Sequence, residues 1–288
     1  MLRYVTKRTR ALVCLVVLSV VAFQQATSTR LNLQRDALRP NRKLDCAGHG
    51  ARNIPHTRKL TRGGSSRIAI LSYSNLREDP SKQTNHANLT LYKMVRCNHE
   101  AYAGKYGYDY LSPSYMSAKW LASHFVLNGL RYKTFTILSH FDEYDVLVWI
   151  DHDAIFYNMD LSVEYWLTKM GSEADILMAE DLPGYKFNAG LQIIKTTNWT
   201  KTFYAKAIDE LLRTDVNAGY IEQPIFYKLY DTLEHGHRKI KIHTPRNTFQ
   251  AFLKVKSDLS NTSWVVHATQ CKCDLSLHIH NACLSASR

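Results

Sequence analysis

Residues 144–156 read Tyr-Asp-Val-Leu-Val-Trp-Ile-Asp-His-Asp-Ala-Ile-Phe. Val146 to Ile150 are apolar without a break, as a strand buried on both faces requires. The chain then presents Asp151, His152 and Asp153. Residues two apart share a face of a strand. At a strand end, two such carboxylates can converge on one hard cation. Mg2+ and Mn2+ take few protein carboxylates and fill the rest of their shell with substrate phosphates. A diphosphate is thus the ligand class that suits the pair. An Asp-x-Asp pair alone also suits a solvated loop. A surface loop following so apolar a strand ordinarily opens on Gly, Asn or Pro, however, and two acids in that place point to a site. His152 reads as a packing or supporting side chain turned away from it.

Strands and helices must position this pair. Short apolar runs predict strands at 67–74, 108–112, 145–151, 175–181, 189–195, 239–244 and 263–269. Helical spacing predicts helices over 87–106, 118–140, 161–170 and 198–214, the last capped by Asn198. A further helix over 222–233 carries Pro224 in its first turn. Strands alternating with helices imply an α/β fold: a Rossmann-like, mainly parallel sheet with helices on both faces. Ligands of such sheets bind beyond the carboxyl ends of the strands, where Asp151 and Asp153 lie.

The net charge of +12 suggests a nucleic-acid partner only until it is located. Residues 1–66 hold 13 Lys/Arg against 2 Asp/Glu, and residues 67–288 hold 24 against 23. The folded part is near neutral, so no nucleic acid is expected on it. Residues 1–28 place Arg3, Lys7, Arg8 and Arg10 before the apolar run 11–23. This reads either as a cleaved signal peptide, with Ala26-Thr27-Ser28 as the cleavage site, or as a cytosolic tail and signal-anchor. Residues 29–66 read as a flexible stem, and 67–288 as a lumenal domain. Sequons at Asn88, Asn198 and Asn261 agree with that compartment. Cys46, Cys97, Cys271, Cys273 and Cys283 would face an oxidising lumen, with a disulfide to Cys283 from the 271–273 pair as the preferred structural reading.

Five segments in order resemble glycosyltransferase family 34, over roughly residues 67–273. "AKWLASHFVLNGLRYKTFTILSHFDEYDVLVWIDHDAIF" resembles its core, with His152 in place of Ser. "NHEAYAGKYGYDYL" (98–111), "NAGLQIIKTTNWT" (188–200), "EQPIFYKLY" (222–230) and "WVVHATQC" (264–271) resemble further family segments. Tyr106 stands there for His, Lys195 for Arg and Gln270 for Gly.

The resemblance implies a GT-A fold on a single-pass type II Golgi membrane anchor, the alternative being secretion after signal cleavage. It implies a retaining, metal-dependent transfer of galactose, mannose or xylose from a nucleotide diphosphate sugar to a glycan acceptor. Asp151, Asp153 and His267 would hold Mn2+ or Mg2+. Lys119 and Asp151 would face the nucleotide diphosphate, and Asn188 and Gly190 the donor sugar or acceptor. Glu222 and Gln223 would lie beside the anomeric carbon, and Asp181 would bind sugar hydroxyls. Plainer readings remain: a satisfied buried histidine for His267, a surface lysine for Lys119, a turn for Gly190, helix capping for Glu222 and a loop cap for Asp181. Two rivals stand against the enzyme: a catalytically inactive GT-A domain that binds glycans in the lumen, and a basic N-terminal segment that binds acidic glycans or lipid headgroups.

Overall fold

A computed structural model of the chain describes residues 66–73, 86–112, 129–213, 222–255 and 257–268. The main sheet has six strands: β1 (Ile68–Leu71), β2 (Asp109–Leu111), β3 (Val146–Ile150), β5 (Ile176–Ala179), β6 (Asn188–Lys195) and β7 (Ile240–His243), in the order β2-β1-β3-β6-β5-β7. A second sheet holds β4 (Ala154–Phe156), β9 (Val265–His267) and β8 (Gln250–Phe252), in that order. The longer helices are α1 (His86–Tyr106), α2 (Gly129–Ser139), α3 (Val163–Met170), α4 (Asn198–Arg213) and α5 (Glu222–Thr232). Two single turns, α6 (Gly236–Lys239) and α7 (Arg246–Phe249), flank β7.

Side-chain alternation along β3 explains the layers. Val146, Val148 and Ile150 pack with α1, α3 and the second sheet through Tyr102, Trp166, Phe156 and Trp264. Leu147 and Trp149 pack on the opposite face against Ile137 of α2, Phe203 of α4 and Phe226 of α5. Both faces of β3 are therefore dry, which is why its sequence is apolar throughout.

Local signals set the helix ends. Ser162 caps α3 by accepting from the Tyr165 amide at 3.2 Å, and Gly171, at φ +84°, ends it. For α4 the cap is Thr197 rather than the expected Asn198. Thr197 Oγ1 accepts from the Thr200 amide at 3.3 Å, and Thr200 Oγ1 accepts from the Thr197 amide at 2.9 Å. This reciprocal pair is a capping box, and it leaves Asn198 exposed.

The sheet is mixed rather than mainly parallel. β1 runs parallel to β2 and β3, and β5 to β7, but β6 is antiparallel to both its neighbours. Eight residues, 180–187, join β5 to β6. A parallel crossover needs a dozen or more, so this link can only turn the chain back.

Among the described residues no helix is long and apolar enough to cross a membrane. This corrects the expectation of a single-pass type II signal-anchor, and with it the Golgi-membrane placement and the membrane as a partner. The run 11–23, on which that reading was built, lies outside the described residues, and thirteen residues fall short of the about 20 that a spanning helix takes. The stem, Lys119, Cys46, Cys271, Cys273 and Cys283 also lie outside them. Cys97 is disulfide-bonded.

Helix α1 clamps the strand that follows the Asp-His-Asp turn. Asn98 Nδ2 donates to the Phe156 carbonyl at 2.9 Å, and its Oδ1 accepts from the Phe156 amide at 2.8 Å. A side-chain amide thus replaces a neighbouring strand. His99 Nε2 donates to the Ala154 carbonyl at 2.8 Å. Burial pushes the His99 imidazole down to about 4, so the ring is neutral at neutral pH. Asn98→Ala would strand two buried backbone groups, at roughly 1–3 kcal/mol each. Urea unfolding is expected to show a loss of at least about 2 kcal/mol. An unchanged midpoint would mean that the edge of β4 does not depend on α1.

Candidate functional site

The reversal of β6 builds the site. Because β6 runs antiparallel, its first residues lie at the carboxyl end of β3, where Ile150 pairs with Leu191. The Asp151 amide then donates to the Gly190 carbonyl at 2.8 Å. In a parallel arrangement residues 188–190 would lie at the opposite end. The second sheet supplies the remaining wall. β9 runs antiparallel to β4, with His267 opposite Ala154, and the Ala268 amide donates to the Asp153 carbonyl at 2.8 Å.

These pairings bring Asp151, Asp153 and His267 together, with one ligand atom from each lying within 4.8 Å of the others. His267 Nε2 lies 3.0 Å from Asp153 Oδ1. Burial pushes the Asp153 carboxyl up and the His267 imidazole down, yet their mutual attraction prevails: Asp153 is held well below the usual carboxylate range and His267 above the usual imidazole value. Two hard oxygen donors and one imidazole suit a divalent cation such as Mn2+. Exposed acids gather without one in many proteins. Here the partly buried acids meet a fully enclosed histidine, and each of the three is held by further bonds.

The holding residues form two networks. In the first, Gln250 Nε2 lies 2.6 Å from His267 Nδ1 and donates to Asn188 Oδ1 at 2.8 Å. Asn188 Oδ1 also accepts from the Gly190 amide at 2.8 Å, and Asn188 Nδ2 donates to Asp181 Oδ2 at 3.3 Å. Gln223 Nε2 donates to the same Asp181 oxygen at 3.0 Å, while Gln223 Oε1 accepts from the Ala189 amide at 3.1 Å. The expected residues Asp181, Asn188, Gln223 and His267 therefore belong to one chain of bonds.

The second network centres on Lys133, which the sequence reading missed. Its buried ammonium lies 3.0 Å from Asp151 Oδ1 and 3.3 Å from Glu222 Oε1, and donates to the Ala189 carbonyl at 3.1 Å. Trp149 Nε1 donates to the same Asp151 oxygen at 2.6 Å. Burial alone would lower the lysine's pKa, but the two carboxylates raise it above its ordinary value. The signal was present: Lys133 falls four residues before the buried Ile137, so a charge sits on the apolar stripe of α2. Glu222 Oε2 is buried and, among the described residues, without a hydrogen-bond partner.

Gly190 was expected to let a ligand approach. The close approach that the structure shows is to His267: a Cβ on Gly190 would lie 2.3 Å from His267 Cε1 and 2.8 Å from Nδ1. His152 is half-buried and makes no hydrogen bond to a described residue.

No family model matches the sequence, and no curated protein matches it. The fold resembles that of a solved glycosyltransferase involved in glycosylation of the major capsid of PBCV-1, at 15% identity over 75% of this chain and 98% of that one, with a TM-score of 0.51. At that identity the likeness shows the fold alone, an α/β mixed sheet with flanking helices of the GT-A kind. An active-site mutant of LgtC (14% identity, 75% and 95% of the chains, TM-score 0.43) and mouse xyloside xylosyltransferase 1 (10%, 73% and 99%, 0.38) are also similar, but below 0.5 they carry no argument. None of these establishes membership of family 34.

Lys133→Met would leave Asp151 and Glu222 facing each other without a cation, an expected loss of roughly 3–5 kcal/mol in chemical unfolding. Gly190→Ala must displace His267, so a crystal structure should show that ring moved away from Asp153. Stability of the metal-free protein should also depend on pH. Asp153, depressed on folding, adds stability above its unfolded value of 3.8, and that contribution fades as the pH falls. His267, raised on folding, adds stability below its unfolded value of 6.5, and loses it as the pH rises through the raised value. A maximum between about pH 4 and 6.5 follows. It should be shallow, because the Asp153 side chain is 38% exposed and solvent screens the pair. Thermal unfolding across pH should show the maximum flattened in Asp153→Asn.

Proposed function

We propose that this chain is a metal-dependent, retaining glycosyltransferase that moves a sugar from a nucleotide diphosphate sugar to a glycan hydroxyl. The observation that carries the reading is the convergence of Asp151, Asp153 and His267 beyond the carboxyl end of β3. That is the ligand-binding end of an open α/β sheet.

In this reading the three residues hold Mn2+ or Mg2+. The bound cation would supply Lewis-acid stabilisation of the charge on the departing diphosphate. Lys133 and Trp149 both occupy Asp151 Oδ1, which keeps the other oxygen for the cation. Gln250 steadies the imidazole of His267. Glu222, anchored through Oε1 to Lys133 and buried, adds negative potential behind the site that would favour positive charge developing at the anomeric carbon. Gln223 has both ends of its amide engaged, so its part is to fix Asp181 and the Ala189 backbone. Asn188 likewise has both ends of its amide engaged, so it fixes Asp181, which faces the donor sugar. Lys119 is assigned to the diphosphate on the family resemblance alone. The same resemblance supports galactose, mannose or xylose as the transferred sugar and retention of its anomeric configuration.

Calorimetric titration of the full chain with uridine and guanosine diphosphate sugars tests the reading, with and without Mn2+. Binding of one nucleotide is expected to require the metal and to weaken at least about tenfold in Asp153→Ala, the loss of one charged contact being worth about 1.4 kcal/mol or more. Proton NMR of the product should show the donor's anomeric configuration. Folded protein that binds no nucleotide under either condition would overturn the transferase and favour a glycan-binding module.

A further inference from the structure

Two large apolar side chains are exposed among the described residues, Tyr165 at 43% and Tyr185 at 61%. Tyr165 is occupied: its ring meets Trp166 edge-on at 5.1 Å, and Lys169 Nζ lies over it at 5.5 Å. The Tyr185 side chain meets no ring, cation or hydrogen-bond partner among the described residues. Its surroundings, by contrast, are pinned. The Leu182 amide donates to Asp181 Oδ1 at 2.7 Å, and the Tyr185 amide donates to the Leu182 carbonyl at 3.0 Å. Gly184, at φ +95°, permits that turn. Lys186 pairs with Asp231, and Phe187 is buried with its ring 4.8 Å from that of Tyr227. The loop is therefore fastened on both sides of one ring that is more than half exposed.

The position of that loop gives the ring a use. It leaves the carboxyl end of β5 and enters β6 at Asn188, so both its feet lie at the end of the sheet that holds Asp151. Asp181 at one foot and Asn188 at the other are bonded to each other, and Asn188 connects through Gln250 to His267. A glycan acceptor carries no phosphate and gives a cation nothing to hold. Its recognition depends on an apolar face for the C–H side of the pyranose ring and on a few hydroxyl contacts. Tyrosine supplies such a face with a polar tip, and its two torsions lose little entropy on binding.

We propose that Tyr185 is the platform on which the acceptor sugar stacks. This rests on the transferase reading, from which the acceptor's place at this end of the sheet follows. Saturation-transfer NMR on the full chain would use methyl β-D-glucopyranoside, methyl β-D-galactopyranoside and methyl α-D-mannopyranoside as probes, in wild type, Tyr185→Ala and Tyr185→Phe. At least one probe is expected to bind the wild type, to weaken roughly three- to tenfold in the alanine variant, and to hold in the phenylalanine variant. Absence of binding to the wild type, equal binding by the alanine variant, or a phenylalanine variant as weak as alanine would each overturn the platform. Nucleotide titration of the same samples separates the two ideas. Glycoside binding that depends on Tyr185 without any nucleotide binding leaves the platform standing and removes the transferase.

Discussion

Four carboxylates, those of Asp151, Asp153, Asp181 and Glu222, crowd the end of one sheet, and the rest of the site exists to keep them there. Like charges a few ångströms apart in a poorly solvated pocket repel strongly. Each acid is therefore met by a positive group or by N–H donors. Lys133 lies between Asp151 and Glu222, His267 takes Asp153, and the amides of Leu182, Asn188 and Gln223 take Asp181. A buried lysine is expensive to desolvate. Its retention at the back of the site makes sense as the counter-charge that Asp151 and the buried Glu222 share.

Topology delivers these groups to one place. The eight-residue link between β5 and β6 is too short for a crossover, so β6 runs backwards and presents Asn188, Ala189 and Gly190 beside Asp151. A second sheet of three-residue strands then carries His267 across from the far part of the sequence. Its first strand would have a bare outer edge, and Asn98 closes it with a two-point amide bond. Gly190 completes the arrangement by leaving room for the imidazole. The three candidate ligands thus sit at strand ends tied to neighbouring strands by backbone bonds, which suits a site that must hold its geometry.

What the sequence disclosed follows from the range of the interactions. The apolar run 146–150 and the acids after it were legible because burial on both faces leaves a local signature, and Pro224 and Gly171 mark helix ends by fixed dihedrals. The direction of β6 leaves no mark on composition, although the short link to β5 could have revealed it. The strands at 154–156 and 250–252 are too short to show a period. Lys133 acts on Glu222, 89 residues away, and only its place on an apolar helical stripe hinted at it. His267 was reached through family resemblance rather than through its own surroundings. The membrane reading rested on the family resemblance, added to a basic N-terminal segment whose apolar run is short of a spanning length.

The proton between His267 and Asp153 occupies the place that a cation would take. In the folded chain the imidazole is biased towards its charged form by Asp153, and the pair neutralises itself without any metal. A divalent cation binding the same two side chains must displace that proton, because imidazole ligates only through a free nitrogen. The bond that stabilises the His267–Asp153 pair is therefore the one that binding gives up. Preorganisation comes from elsewhere: Lys133 and Trp149 behind Asp151, and the backbone bond from Ala268 to Asp153, stay in place when the proton leaves. The pocket can thus change its charge without changing its shape.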